Sequence, residues 1–139
     1  MKSTEKLLNE LKSEKRIENF TENNSSSFNE ITLSEYLKNL LITKQRTKAE
    51  IIQKANLNKV YGYNIFSGEK SPSRDKVLAI ALAFSLSIEE TQYLLKYARV
   101  KELYVRHKRD SFILFALNRD LTVIETNQLL LDMNEEILV

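Results

Sequence analysis

The segment Thr47–Ser73 constrains the fold most, because it contains start and stop signals for two short helices. Thr47 and the glutamate three residues later have the spacing of a capping box, in which a hydroxyl and a carboxylate satisfy free amides at a helix start. Asn56 tolerates a positive φ, so it can end this helix and turn the chain. Asn58 is a favourable N-cap for a second helix, which we expect to end at Gly68. These signals predict two helices joined by a turn of three to four residues.

Two helices joined by such a turn form a helix-turn-helix motif. The segment also resembles the DNA-binding domains of the Xre/phage-repressor (Cro–CI) class, in which the recognition helix is followed by Gly-Lys-x-x-Pro-Ser. It follows this pattern without a gap and ends in Gly68-Glu69-Lys70-Ser71-Pro72-Ser73. Within the two helices and their turn, four positions depart from the pattern: Ile52 replaces a small Ala, Asn56 the turn Gly, Gly62 a buried Ile or Val, and Phe66 a Glu. Gly62 costs about 1 kcal/mol of helix propensity relative to Ala and removes a core anchor.

The resemblance implies that the start of the second helix faces base edges in the major groove of double-stranded DNA. By position, the base-contacting residues are Lys59, Val60, Tyr61, Tyr63 and Asn64. Lys59 is suited to guanine O6 and N7, and Asn64 to adenine. The phosphate-contacting residues are Lys48, Asn58, Lys70 and Ser71, helped by helix N-termini. In the alternative interpretation, Tyr61 and Tyr63 are packing residues around Gly62, and Lys59 is merely exposed.

The rest of the chain is also predicted to be helical, since its 139 residues include only two Gly and one Pro. We expect an all-α protein whose residues 31–98 form a five-helix repressor-like domain. Its other helices run from Ile31 to Thr43, from Arg74 to Phe84 and from Ser87 to Tyr97. Residues 1–30 are predicted to be an N-terminal helical arm and a polar linker. The arm is either a short helix that packs on another surface or a frayed, solvated segment.

Residues 99–139 contain a second copy of the preceding helix pair. A shift of 35 residues places Arg74–Leu103 on Arg109–Leu138 and keeps a capping box, because Ser87 meets Thr122. This period resembles that of helical-hairpin arrays, but two copies are too few for a solenoid. We therefore expect a two-helix appendage packed on the two helices before it. Its apolar residues serve either as intrachain core or as a homodimer interface, for which the candidates are Phe112, Ile113, Phe115, Leu129 and Leu130.

Positive charge is concentrated in the region that contains the predicted motif. Residues 31–76 carry nine Lys/Arg and four Asp/Glu, whereas the net charge of the whole chain is only +2. An excess of positive charge is expected of a region that contacts DNA phosphates. The alternative is that these side chains form an ordinary solvated surface. A second basic cluster, Lys101–Arg109 with Tyr104 and the lone His107, either follows a phosphate backbone or, in the interpretation that we prefer, is a solvated connection between the helix pairs.

Several classes of protein are disfavoured by what the sequence lacks. Because the sequence has no cysteine and no second histidine, we expect neither a metal site nor a cofactor. No phosphate-binding glycine loop and no nucleophile elbow is found, so we expect no catalytic residues and no enzyme. No apolar run approaches 18 residues and no signal peptide is recognisable, which predicts a cytoplasmic protein without a membrane span.

Two functional hypotheses remain. The first is a dimeric, sequence-specific DNA-binding transcriptional regulator, a repressor of the phage or mobile-element type that acts on a palindromic operator. The second is a repressor-like fold that acts through a protein partner, as a phage-encoded inhibitor or an antitoxin would. In the second case the tyrosine-rich helix would be the interface, because Tyr is enriched at interaction hot spots.

Overall fold

The computed structural model describes residues 3–23 and 31–139, and these residues confirm the all-α prediction. They form nine helices and no β-strand: α1 Thr4–Ser13, α2 Ile17–Asn23, α3 Leu33–Thr43, α4 Lys48–Lys54, α5 Lys59–Ser67, α6 Arg74–Phe84, α7 Ile88–Tyr97, α8 Lys108–Asn118 and α9 Val123–Asp132. They fall into two compact units that divide after Ile31, with α1 and α2 in the first unit and α3 to α9 in the second.

The first unit contains two helices where the sequence predicted a single arm. Ser3 caps α1, since its hydroxyl accepts a hydrogen bond from the Lys6 amide at 3.1 Å. No residue of α1 is buried, and Leu8 and Leu11 are exposed. Most of the predicted linker falls in residues 24–30, which lie outside the described residues.

Side-chain caps begin every helix from α3 to α7. The caps are Thr32, Thr47, Asn58, Ser73 and Ser87, each of which accepts a hydrogen bond from a backbone amide of its helix. Helix α3 therefore begins at Leu33, two residues later than the sequence suggested. These five helices occupy the range predicted for the five-helix domain.

Helix α6 is the centre of the second unit. All of its residues from Val77 to Phe84 are buried, because the helix packs against α4, α7 and α9. The same hydrophobic core continues into the last two helices through Ile113, Leu117 and Leu130. Residues 99–139 thus share one compact unit and one core with α3 to α7.

The 35-residue repeat is reproduced in hydrogen bonds as well as in helices. Arg74 Nε donates to the Lys101 carbonyl at 2.8 Å, and Arg109 Nε donates to the Glu136 carbonyl at 3.0 Å. Gln92 and its counterpart Asn127 each accept a hydrogen bond from the backbone amide eleven residues later. Ser85 and its counterpart Asp120 both have positive φ, as do Arg99 and its counterpart Asn134. Each repeat is therefore a helical hairpin followed by an extended tail that its own side chains hold.

The two hairpins pair reciprocally. Arg74 binds Asp110 of the second repeat with two hydrogen bonds, and Arg109 binds Asp75 of the first repeat in the same way. The helices follow this pattern, since α6 packs on α9 and α7 packs on α8. Because each hairpin binds the other through the same patch of residues, the contact is isologous. An isologous contact is complete with two copies, whereas a head-to-tail contact would allow further copies to be added. The repeat is thus a closed pseudo-two-fold pair and not the start of an array.

Candidate nucleic-acid interface

Helix α5 has one buried and one exposed face. Gly62, Ile65 and Phe66 are buried. On the opposite side Lys59, Val60 and Tyr63 are exposed, and Val60 keeps 69% of its surface accessible despite being apolar. Residues three and four apart are neighbours on a helix, so these three side chains form one surface. We call Lys59, Val60 and Tyr63 the α5 face.

The two ends of α5 are fixed by local hydrogen bonds. Asn58 Oδ1 accepts from the Tyr61 amide at 3.2 Å, and Gly68 ends the helix with φ of 90°, a conformation that favours glycine. The Ser34 hydroxyl of α3 donates to the Phe66 carbonyl and ties the end of α5 to α3. The preceding turn also follows the prediction, since Asn56 has φ of 57°. The α5 face is therefore presented by a rigidly held helix.

Two departures from the family pattern are explained by a single contact. A Cβ atom added to Gly62 would lie 2.7 Å from both Cγ1 and Cγ2 of Ile52, far inside normal contact distance. The large side chain at 52 therefore requires the missing side chain at 62. The usual pattern places the small residue on the first helix and the large one on the second, and this chain reverses them. Gly62 does not leave α5 without an anchor, because Ile52 of α4 fills the space.

Phe66 is a core residue. Its relative exposure is zero, and it belongs to the same hydrophobic cluster as Leu37 and Leu78. An aromatic residue at this position adds apolar burial where the family pattern has a charged one, which stabilises the packing of α5 on its neighbours.

The two tyrosines of α5 have different environments. Tyr63 is exposed, whereas Tyr61 is half-buried and packs against the core. The Lys76 ammonium lies 5.9 Å from the centre of the Tyr61 ring, within cation–π distance. Sequence analysis missed Lys76 because its partner lies on another helix. Asn64, the fifth predicted base-contacting residue, is half-buried.

The predicted phosphate contacts lie at the ends of these helices. Asn58, Lys70 and Ser71 are exposed, and Lys48, the first residue of α4, is half-buried. The Lys70 amide donates to the Asn64 carbonyl at 3.1 Å, so the loop after α5 is held against the helix. Within the described part of the chain, no ion pair engages Lys48, Lys59 or Lys70. Their positive charges remain available to an anionic ligand.

The candidate dimerisation residues separate into two groups. Ile113 and Leu130 have zero exposure and belong to the core of their own chain. Phe112 and Leu129 are half-buried, and Phe115 is exposed beneath the Arg119 guanidinium, which lies 4.5 Å from the ring centre. The structure thus brings only three of the five predicted residues to the surface.

The second basic cluster does not act as one unit. Arg109 is engaged with Asp75, whereas Lys101, Arg106, His107 and Lys108 are exposed. In the described ranges, no group of three His, Cys, Asp or Glu side chains could hold a metal ion. None of the helices described is long and apolar enough to cross a membrane.

Comparison with known proteins adds no relative to this picture. The sequence matches no protein-family model, and no significant match was found among curated proteins or solved structures. The α5 face and the resemblance of its segment to the repressor pattern are therefore the features that bear on function.

Proposed function

We propose that this protein is a sequence-specific DNA-binding transcriptional regulator, a cytoplasmic repressor of the phage or mobile-element type. The observation that carries the proposal is the α5 face. Helix α5 is anchored by a fully buried side and presents Lys59, Val60 and Tyr63 outward. A short, rigidly held helix that presents one cationic, one apolar and one aromatic side chain suits the major groove, which is wide enough to admit an α-helix.

Each exposed side chain has a matching chemistry on DNA. Lys59 donates to guanine O6 and N7, Val60 contacts a thymine methyl group, and Asn64 pairs with adenine at the edge of the face. Tyr63 adds a hydroxyl and an aromatic surface between them. Tyr61 is proposed to support this group from the flank, since it packs partly on the core.

Phosphate contacts position the helix in the groove. Lys48 and Lys70 lie on either side of α5 in sequence and are free of protein carboxylates, and Ser71 and Asn58 are exposed beside them. A homodimer would place two α5 helices in successive major grooves of a palindromic operator, with centres about 34 Å apart. No catalytic step and no cofactor enters this function.

A second candidate is recognition of a protein partner, as in a phage-encoded inhibitor or an antitoxin. The observation that favours it is the exposure of Val60 next to Tyr63. An exposed apolar and aromatic pair is typical of the centre of a protein interface. Such an interface would involve the same face of α5 but would depend less on Lys59.

The test is selection of genomic DNA fragments by the purified protein, with Lys59→Ala/Asn64→Ala as the variant. The matched control is Lys38→Ala/Asn39→Ala, which removes the same two residue types from the exposed surface of α3. The wild type and the control should recover one inverted repeat that the α5 variant loses. Loss of Lys59 alone should cost about 1–3 kcal/mol of binding free energy and relax specificity at one base pair.

Salt dependence provides a second readout. Affinity should fall steeply with salt concentration, because each phosphate contact releases counterions. Lys70→Ala should weaken binding to all sequences alike and reduce the salt slope by about one. Weak, sequence-independent retention by the wild type would contradict the regulator proposal, and Tyr63→Ala would then be tested for loss of a protein partner.

A further inference from the structure

The first helical hairpin, α6 and α7, is covered on one face by α3 and α4. Helix α3 covers α7, where the Tyr36 and Tyr97 ring centres are 4.7 Å apart and Lys44, just after α3, pairs with Glu90. Helix α4 covers α6. As a result, Ile80 of α6 is only 1% exposed, and Leu94 of α7 is equally buried.

The second hairpin has the same face without a cover among the described residues of its unit. The counterpart of Ile80 is Phe115, which is 46% exposed, and the counterpart of Leu94 is Leu129, which is half-buried. Phe112 lies beside Phe115 on α8, and Met133, also exposed, follows α9. We call Phe112, Phe115, Leu129 and Met133 the open face.

The charges that border the open face differ between its two helices. Helix α8 contributes Lys108, its C-cap is Arg119, and α9 contributes Glu125 and Asp132, all four exposed. Among the residues that the structure describes, the two α9 carboxylates accept hydrogen bonds only from neutral groups, the Thr122 amide and the Gln128 side chain. The α8 edge is therefore basic, and the α9 edge is acidic.

We propose that the open face binds the open face of a second copy of this chain about a two-fold axis. Helix α8 of one copy would lie on α9 of the other, because this arrangement joins basic to acidic edges twice. Placing α8 on α8 would instead oppose like charges, which disfavours that register. The chain already contains this type of pairing, since the two hairpins pack reciprocally through α6 on α9 and α7 on α8.

The inference deepens the proposed function and relies on it for the biological role of the dimer. Its geometric basis is independent, because it uses no residue of the α5 face. Self-association is measured without DNA, and operator binding is measured by fragment selection. A dimer that ignores DNA would contradict only the regulator proposal. A monomer that still selects DNA fragments through α5 would contradict the dimer surface and the palindromic arrangement, but not DNA recognition by the α5 face.

The first experiment is sedimentation equilibrium of the full chain. The wild type should be a dimer, and Phe115→Asp/Leu129→Asp should raise its dissociation constant about 100-fold, since both side chains enter the interface twice. The matched control is Ile124→Asp/Leu131→Asp, which places the same charges at more exposed apolar positions of α9, 79% and 62% accessible, outside the open face. Circular dichroism of each variant verifies that it is folded.

A second experiment changes only exposed charged residues, so its result does not depend on damage to the hydrophobic core. Lys108→Glu/Arg119→Glu gives two acidic edges, and Glu125→Gln/Asp132→Lys removes the acidic edge while preserving the helix cap. Each variant alone should dimerise about tenfold more weakly than the wild type, and an equimolar mixture should recover the dimer. A monomeric wild type, a mixture no stronger than its components, or dissociation by the Ile124→Asp/Leu131→Asp control alone would overturn the inference.

Discussion

Ile52 and Gly62 show how two residues that each look unfavourable can form one favourable contact. Isolated glycine in a helix is destabilising by about 1 kcal/mol relative to alanine. Here an added Cβ would lie 2.7 Å from the Ile52 side chain. The glycine is needed because the isoleucine occupies its side-chain volume. Sequence analysis found both departures but treated them separately, because no local pattern shows that two positions ten residues apart are in contact.

The contact predicts strong coupling between positions 52 and 62. Gly62→Ala should destabilise the fold by about 1–3 kcal/mol through overpacking, although alanine is the better helix former. Ile52→Ala should cost about 2–5 kcal/mol by leaving a cavity. The double variant Ile52→Ala/Gly62→Ala, in which the new Cβ enters the space that the isoleucine leaves, should cost clearly less than the sum of the two single variants. Urea unfolding of the four proteins measures the difference, and additive free energies would refute the contact.

At the scale of elements, the helix starts were predictable and the pairing of the hairpins was not. Caps such as Ser87 and Thr122 are local signals, and the structure confirms a full capping box at both. The repeat was also visible, since matched caps and core positions recur after 35 residues. Its reciprocal geometry was not visible, because a stacked array and a closed pair have the same sequence period. The cross-pairing of Arg74 and Arg109, together with the packing of α6 on α9 and α7 on α8, distinguishes them.

The two reciprocal ion pairs differ in burial, which predicts unequal contributions to stability. The Asp110 side chain is 4% exposed and that of Asp75 is 22% exposed. Burial alone would raise the pKa of Asp110, but hydrogen bonds from Arg74 and the Tyr104 amide hold that pKa below its usual value. Arg74→Ala leaves a buried carboxylate without its partner and should cost about 3 kcal/mol. Arg109→Ala, its counterpart in the repeat, should cost about 1 kcal/mol. If urea unfolding gave the two variants equal losses of stability, burial of the aspartate would not determine how much each ion pair contributes.

At the scale of the molecule, the two C-terminal helices are an integral part of the second unit. The resemblance implied a domain over residues 31–98, and residues 99–139 were expected to be an appendage packed on its last two helices. The second hairpin does pack on α6 and α7, and Leu103, Ile113 and Leu138 also belong to the same core as α6. The second basic cluster conceals this continuity, since the contacts that cross it join residues far apart in sequence. The predicted appendage thus completes the core that supports α5.

A shared core predicts that α3 and α8 unfold together. Native-state hydrogen exchange should give the slowest amides of both helices the same opening free energy, within about 1 kcal/mol, because neither can open without exposing the core around α6. Arg74→Ala should lower both values equally, since the Arg74–Asp110 pair connects α6 to α8. An appendage that folds separately would give α8 a distinctly lower value and would leave α3 unchanged in the variant. Agreement between the two helices would show that the C-terminal hairpin contributes directly to holding α5 in place.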